Sequence, residues 1–199
     1  MFTPYLFLAP GRGGANLAAA LARAGHEVTV ADRTPGAAAD AARTARIVIN
    51  ATPGAGSLDR LAALREELRD KILVDVSNAT TDGPDGLPAD LIYPGSSLAE
   101  QLQEALPETR VVKTLNTMLF PVMTSPATLP QTPTAFLSGE DPQAKQTVLE
   151  LLTDLGWQKE WITDLGGIQT ARATVAAILF VPHVIRSTGF TPFAISIAR

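Results

Sequence analysis

Short aliphatic runs alternate with amphipathic stretches through most of the chain. Candidate strands fall at residues 5–9, 27–31, 47–51, 72–76, 110–114 and 134–138, and most of them are continuous apolar runs. Such runs suit strands covered on both faces, and strands alternating with helices are the pattern of βαβ units in a parallel sheet. The expectation is an α/β protein of the Rossmann class. It has a doubly wound, mainly parallel sheet of six or more strands over residues 1–156 and a small helical extension over 157–199.

Two helices are marked by their ends. Asp141 caps and Pro142 opens a helix whose apolar face is Ala144, Val148, Leu151, Leu152 and Leu155, and Gly156 ends it. Residues 14–24 form another, rich in alanine and stopped by Gly25, so that it can approach a sheet closely. Residues 77–95 carry Gly83, Pro84, Gly86 and Pro88 among polar neighbours and read as a long loop bordering a ligand.

Composition narrows the partners. The net charge is −4 and no Lys/Arg stripe is present, so neither nucleic acid nor an anionic membrane finds an electrostatic footprint, and a small molecule is the expected partner. The chain has no cysteine and two histidines, too few for the usual zinc arrangements, and no Ser-His-Asp order or paired carboxylates stand out. The longest apolar run, residues 175–182, is far below the roughly 20 residues that span a bilayer. No signal peptide is recognisable at the N-terminus, and the expected location is cytoplasmic.

Candidate chemistry starts after the first strand. Ala9-Pro10-Gly11-Arg12-Gly13-Gly14 aligns with G-x-G-x-x-G, with Ala9 in place of the first glycine. Gly11 lets backbone approach a pyrophosphate and Gly14 lets helix and strand pack tightly, while the helix N-terminus offers free N–H groups. Asp32, at the end of the second strand, stands where a ribose-recognising side chain belongs. It accepts from a free 2′-hydroxyl but repels a 2′-phosphate, whereas Arg33, Thr34 and Arg12 favour that phosphate. Thr52 and Pro53 follow the third strand, Asn78 the fourth, and Asn116 and Thr117 the fifth, all at carboxyl ends where ligands gather in open α/β sheets.

The glycine loop, Ala24-Gly25-His26-Glu27-Val28-Thr29, Leu98-Ala99-Glu100 and Val111-Val112-Lys113-Thr114-Leu115-Asn116-Thr117 together resemble the NADPH-dependent coenzyme F-420 reductases. The likeness continues through Phe136-Leu137-Ser138-Gly139-Glu140-Asp141, Asp164-Leu165-Gly166 and Thr170-Ala171-Arg172. The Lys-x-x-Asn-Thr segment is its most specific part. The resemblance implies hydride exchange between NADP(H) and a deazaflavin in a homodimer, with a C-terminal helical portion closing the site. The architecture is also similar to the cytosolic domain of the six-transmembrane ferric reductases. The family usually has glycine where Ala9 stands, and Ser or Thr before an Arg where Asp32-Arg33 stands.

The function expected is hydride transfer between the nicotinamide and a planar acceptor, a deazaflavin or flavin, with NADP(H) favoured over NAD(H). Asn116 and Thr117 position the rings, and no side-chain acid or base is obligatory. The alternative is a catalytically silent dinucleotide-binding or sensing module. Lys113 is a candidate partner for a cofactor phosphate or a carboxylate, and His183 for a flavin-like ring, though a packed or surface role suits His183 better. Trp157 and Trp161 are expected to be buried in the core or in an interface, and His26 to lie in an exposed turn. A β-hydroxyacid dehydrogenase would need a large helical domain beyond the Rossmann half, for which the chain is expected to be too short.

Overall fold

The computed structural model describes residues 4–8, 11–31 and 36–198. The first half runs β1 (Pro4–Leu8), α1 (Arg12–Arg23), β2 (Glu27–Ala31), α2 (Ala37–Thr44), β3 (Ile47–Asn50), α3 (Ser57–Ala62), α4 (Arg65–Leu68) and β4 (Ile72–Asp75). Then come a hairpin of β5 (Thr80–Asp82) and β6 (Pro88–Leu91), followed by α5 (Leu98–Ala105), β7 (Arg110–Lys113) and α6 (Phe120–Met123). The chain continues with β8 (Ala135–Leu137), α7 (Pro142–Asp154), β9 (Ile162–Asp164), α8 (Ala171–Ala176) and α9 (Val181–Thr188).

The central sheet has five strands in the order β2-β1-β3-β4-β7, all parallel. Strand order reverses between β1 and β3, which sets the switch point at the carboxyl end of β1. The expected sixth strand forms, but not in this sheet: β8 pairs in parallel with β9 and meets β7 through one antiparallel bridge, Lys113 with Ser138. The expected loop at 77–95 contains the antiparallel β5–β6 hairpin, whose register shifts between Thr81 and Asp82. Such short strands, punctuated by Gly83, Pro84 and Gly86, carry too little periodicity to be read from sequence.

Alternation along the strands divides the core. Ile47, Ile49, Ile72, Val74 and Val112 face one layer with Leu17 and Leu21 of α1 and with Val148, Leu151 and Leu152 of α7. Val48, Leu73 and Val111 face the other, with Ala42, Leu61, Leu98 and Leu102 from α2, α3 and α5. This two-sided burial is what the continuous apolar runs require. Asp141 accepts from the Ala144 backbone N–H at 2.7 Å, so α7 starts where its cap and Pro142 place it. Trp157 is fully buried, with Nε1 donating to the Met123 carbonyl over 3.0 Å, and Trp161 is half-buried beside the same core.

His26 departs from its expected exposure. Its ring packs edge-on against Tyr5 at 4.9 Å and its Nε2 lies 2.9 Å from Asp154 Oδ2 at the end of α7. At the amino ends of the strands, Arg46, Arg69, Lys71 and Arg110 line a cavity of about 650 Å³. Lys71 donates to the Arg43 and Ala45 carbonyls at the end of α2, and Arg65 to the Ala105 carbonyl at the end of α5. Beyond the sheet, residues Ile168–Thr188 form successive helical turns that together are long and apolar enough to cross a membrane by length and composition. The individual apolar run is short, but the turns join, which the sequence reading did not foresee.

Candidate functional site

The last residues of four neighbouring strands form one row across the sheet: Leu8 is paired with Asn50, Asn50 with Asp75, and Asp75 with Lys113. Three members are polar and fully buried. Asn50 Nδ2 donates to Asp75 Oδ1 at 2.9 Å, and Lys113 Nζ donates to Asp75 Oδ2 at 2.8 Å and to the Ser77 carbonyl. Ser77 donates back to Asp75 through its hydroxyl, at 2.7 Å, and its backbone N–H. Burial pushes the Lys113 ammonium below the ordinary lysine value, while the Asp75 charge and hydrogen bond pull it back up. Lys113 therefore meets a carboxylate and is closed off from any cofactor phosphate.

The row extends into the loop after β3. Asn50 Oδ1 accepts from the Thr52 hydroxyl at 2.6 Å and from its backbone N–H, and Thr52 Oγ1 lies 2.7 Å from Ser57 Oγ. Arg60 ties the same loop from outside, donating to Thr52 Oγ1, Ser57 Oγ and the carbonyls of Pro53 and Ala55. Gly54 lets this loop touch the next one. A Cβ there would stand 2.4 Å from Ala79 Cα and from the Asn78 carbonyl oxygen. Asn50, Asp75, Ser57, Arg60 and Gly54 were not singled out by sequence. The one available signal was a polar residue closing each of three apolar strands.

Asn78 and Asn116 meet directly: Asn78 Nδ2 donates to the Asn116 carbonyl at 2.9 Å, and Asn116 Nδ2 to Asn78 Oδ1 at 3.0 Å. Leu115 just before takes φ +57°, a left-handed backbone that a branched side chain seldom adopts. Packing holds it, since Leu115 belongs to the core around α1 and α7. Thr114 and Thr117 carry buried hydroxyls without a partner among the described residues. Such orphans are uncommon in folded proteins and mark the 114–117 turn as built for more than packing.

At the carboxyl end of β1, Gly11 is the N-cap of α1 in an extended conformation, with no side-chain cap and no acidic residue in the first turn. Arg12 is exposed there, Gly13 is half-buried and Gly14 is buried. Among the described residues a Cβ at Gly11 would touch nothing within 4 Å, so they do not demand glycine there, whereas a pyrophosphate lying on the helix end would use that space. These residues fit a dinucleotide. Asp32, Arg33 and Thr34, and Ala9 with them, lie outside the described residues.

Beyond β7, Asn116 and Thr117 line a pocket of about 440 Å³ closed by Ile178, Val181 and Val184 from the C-terminal helical turns and by residues 193–195. That last segment is hydrogen-bonded onto the loop after β7, with the Ile195 N–H donating to the Thr117 carbonyl and the Leu119 N–H to the Phe193 carbonyl, both at 3.0 Å. The opposite face of the same helical turns, Leu179, Pro182, His183 and Arg186, lines a separate groove of about 560 Å³ against the β5–β6 hairpin. His183 thus faces away from Asn116 and Thr117. The pocket at the strand ends is the better ligand site, because open α/β sheets bind at carboxyl ends whatever the size of other hollows.

A five-stranded parallel sheet with helices on both faces and a glycine-opened first helix at the switch point defines a Rossmann-like α/β protein. No family model matches the chain. A solved structure of a candidate F420-dependent NADP reductase from Arthrobacter sp. FB24 is 35% identical, covers 100% of both chains and superposes with a TM-score of 0.89. The chain belongs to this F420-dependent NADP reductase family. A hypothetical protein from Sinorhizobium meliloti is 27% identical, covering 100% of this chain and 96% of its own, with a TM-score of 0.62. The F420-dependent NADP reductase of Methanocaldococcus jannaschii is 27% identical over 134 residues, which are 67% of this chain and 59% of that protein. This chain thus spans less than two thirds of the curated relative that it matches.

Proposed function

We propose that the protein binds NADP(H) across the carboxyl ends of β1, β3, β4 and β7 and exchanges a hydride with a planar redox acceptor seated in the pocket beyond β7. The observation that carries this reading is the position of that pocket, walled by Asn116 and Thr117 on the same sheet edge as the uncapped end of α1. Gly11, Arg12, Gly13 and Gly14 hold the pyrophosphate, Thr52, Pro53 and Asn78 line its path, and Asp32, Arg33 and Thr34 meet the adenosine ribose. NADP(H) is preferred to NAD(H), as the names of the family's members suggest.

When bound, the reduced nicotinamide supplies a hydride from C4, and the acceptor takes it together with one proton from solvent. The chain's own residues hold the two rings at contact distance, about 3–3.5 Å, and exclude water. Asn116 fixes orientation through its bond with Asn78. The first acceptor to examine is a deazaflavin, the F420 class named in two of the relatives, with flavin second. Residues 157–199 act as an extension that completes the acceptor pocket and contributes the contact of a homodimer in the cytoplasm. The exposed Leu179, Phe180 and Phe190 support that contact.

Stereospecifically deuterated NADPH tests the reading. Deuterium should pass from one face of the nicotinamide into the reduced deazaflavin. Turnover without deuterium in the product rules out direct hydride transfer. NADPH binding with no turnover on any deazaflavin, flavin or ferric chelate leaves a binding or sensing module instead. Calorimetry with both nucleotides tests the preference: an NADH affinity tenfold above NADPH, about 1.4 kcal/mol, overturns it.

A further inference from the structure

We infer that the buried pair of Asp75 and Lys113 is a positioning unit for Asn78 and Asn116: each asparagine stands three residues beyond one member of the pair, and the pair fixes the backbone from which both start. The inference deepens the hydride-transfer reading and rests on it for its bearing on catalysis. Neither Asp75 nor Lys113 is more than 1% exposed, so any effect on a ligand passes through other residues.

Ser77 carries the link to Asn78. Its backbone N–H and its hydroxyl donate to Asp75 Oδ1 at 3.2 and 2.7 Å, and its carbonyl accepts from Lys113 Nζ. The N–H belongs to the peptide before Ser77 and the carbonyl to the peptide before Asn78, so the two charged groups hold both peptide planes. On the other strand, the Thr114 N–H donates to the Asp75 carbonyl at 3.2 Å, and Lys113 exchanges backbone hydrogen bonds with Ser138 at 2.8 and 3.1 Å. Leu115 then makes its left-handed turn and delivers Asn116 to Asn78, where the two amide hydrogen bonds close a ring of chain and contacts.

A buried ion pair is a weak source of stability, because desolvation consumes much of its attraction. Aim is what it supplies here. The ammonium donates to Asp75 Oδ2 and to the Ser77 carbonyl, and releasing either leaves a buried charge short of a partner. Charge-assisted hydrogen bonds are also the stronger ones, so Ser77 is held more firmly than neutral groups would hold it. Asn78 and Asn116 thereby keep one orientation before any ligand arrives, and a ring docking against them loses little in ordering them.

The test combines turnover with NMR of the asparagine amides. Asp75→Asn with Lys113→Met removes both charges and releases the Ser77 carbonyl, and a cooperative urea transition shows whether it folds. Should it not, Asp75→Asn with Lys113→Gln, whose amide falls one bond short of the ammonium position, replaces it with the same expectations. Calorimetry should give an NADPH affinity within about threefold of native, while kcat with NADPH and the deazaflavin falls about tenfold. In an Asn78→Ala background the same double change should lower kcat by less than about twofold, because the route through Asn78 is already cut. A native kcat, an affinity that falls as far as kcat, or losses that multiply across the two backgrounds overturns the inference. In the native protein without ligand, the side-chain amide protons of Asn78 and Asn116 should exchange slowly with water, and in the folded pair variant quickly. Fast exchange in the native protein, or slow exchange kept in the variant, overturns it as well. If no acceptor turns over, the hydride-transfer reading falls, while the amide signals still judge the pair, so the two failures can be told apart.

Discussion

Asp75 and Lys113 stand opposite each other in the register of adjacent parallel strands, joined over 2.8 Å with neither side chain more than 1% exposed. A pair so placed is expensive to break and cheap to replace. Lys113→Met strands a buried carboxylate and should cost about 3–5 kcal/mol in urea unfolding, whereas Asp75→Asn combined with Lys113→Met, which removes both charges and keeps an acceptor for Asn50 and Ser77, should recover part of that loss. A single variant as stable as the native protein would show that the pair contributes little.

Gly11 and Gly54 should respond oppositely to alanine. At Gly54 the added Cβ strikes the backbone of the next loop, and Gly54→Ala should lose about 1–3 kcal/mol of stability. Gly11→Ala meets no described residue and should cost less than about 1 kcal/mol, yet weaken NADPH binding by calorimetry. Unchanged nucleotide affinity in the latter would remove the α1 end from the binding site.

The reciprocal hydrogen bonds between Asn78 and Asn116 make the two residues one unit. Asn78→Ala and Asn116→Ala should each lower kcat more than they weaken nucleotide binding. Their double-mutant cycle should show coupling of about 0.5–3 kcal/mol. Additive effects would mean that each acts alone.

Tyr5 carries the clearest pH signature. Burial, and then the charges of Asp154 and Glu150, push its phenol up to about 12. The folded state therefore keeps a proton that the unfolded chain loses near pH 10, and stability should fall by about 2–3 kcal/mol as pH rises from 10 to 12. Absorbance titration of the phenolate checks this. Tyr5→Phe should abolish the high-pH phase, and persistence of that phase would assign it elsewhere.

The strands were legible because burial on both faces leaves long apolar runs, and α7 because Asp141, Pro142 and Gly156 mark its ends. The β5–β6 hairpin and the parting of β8 from the main sheet were not legible, since both depend on which neighbours a short strand meets. The strand-end positions Thr52, Asn78 and Asn116 could be placed by topology. The links among them could not, because Asn50, Asp75 and Lys113 become one network only when strands separated by 25 and 38 residues are laid in register. His26 was misjudged for the same reason, its partner Asp154 lying 128 residues away.

The cations gathered at the amino ends of the strands give the molecule a direction. Helices that return antiparallel to a parallel sheet point their electropositive ends toward the strand carboxyl ends and their electronegative ends toward the opposite rim, where Lys71 and Arg65 bind the last carbonyls of α2 and α5. Lys71 and Arg65 thus spend their charge on the far rim, and on the near side the fixed amide dipoles of the helix starts add to the side chains of Arg12 and Arg60 in drawing an anion. Dipoles built into the backbone need no reorientation when a ligand arrives, and this edge behaves as a permanently polarised electrode.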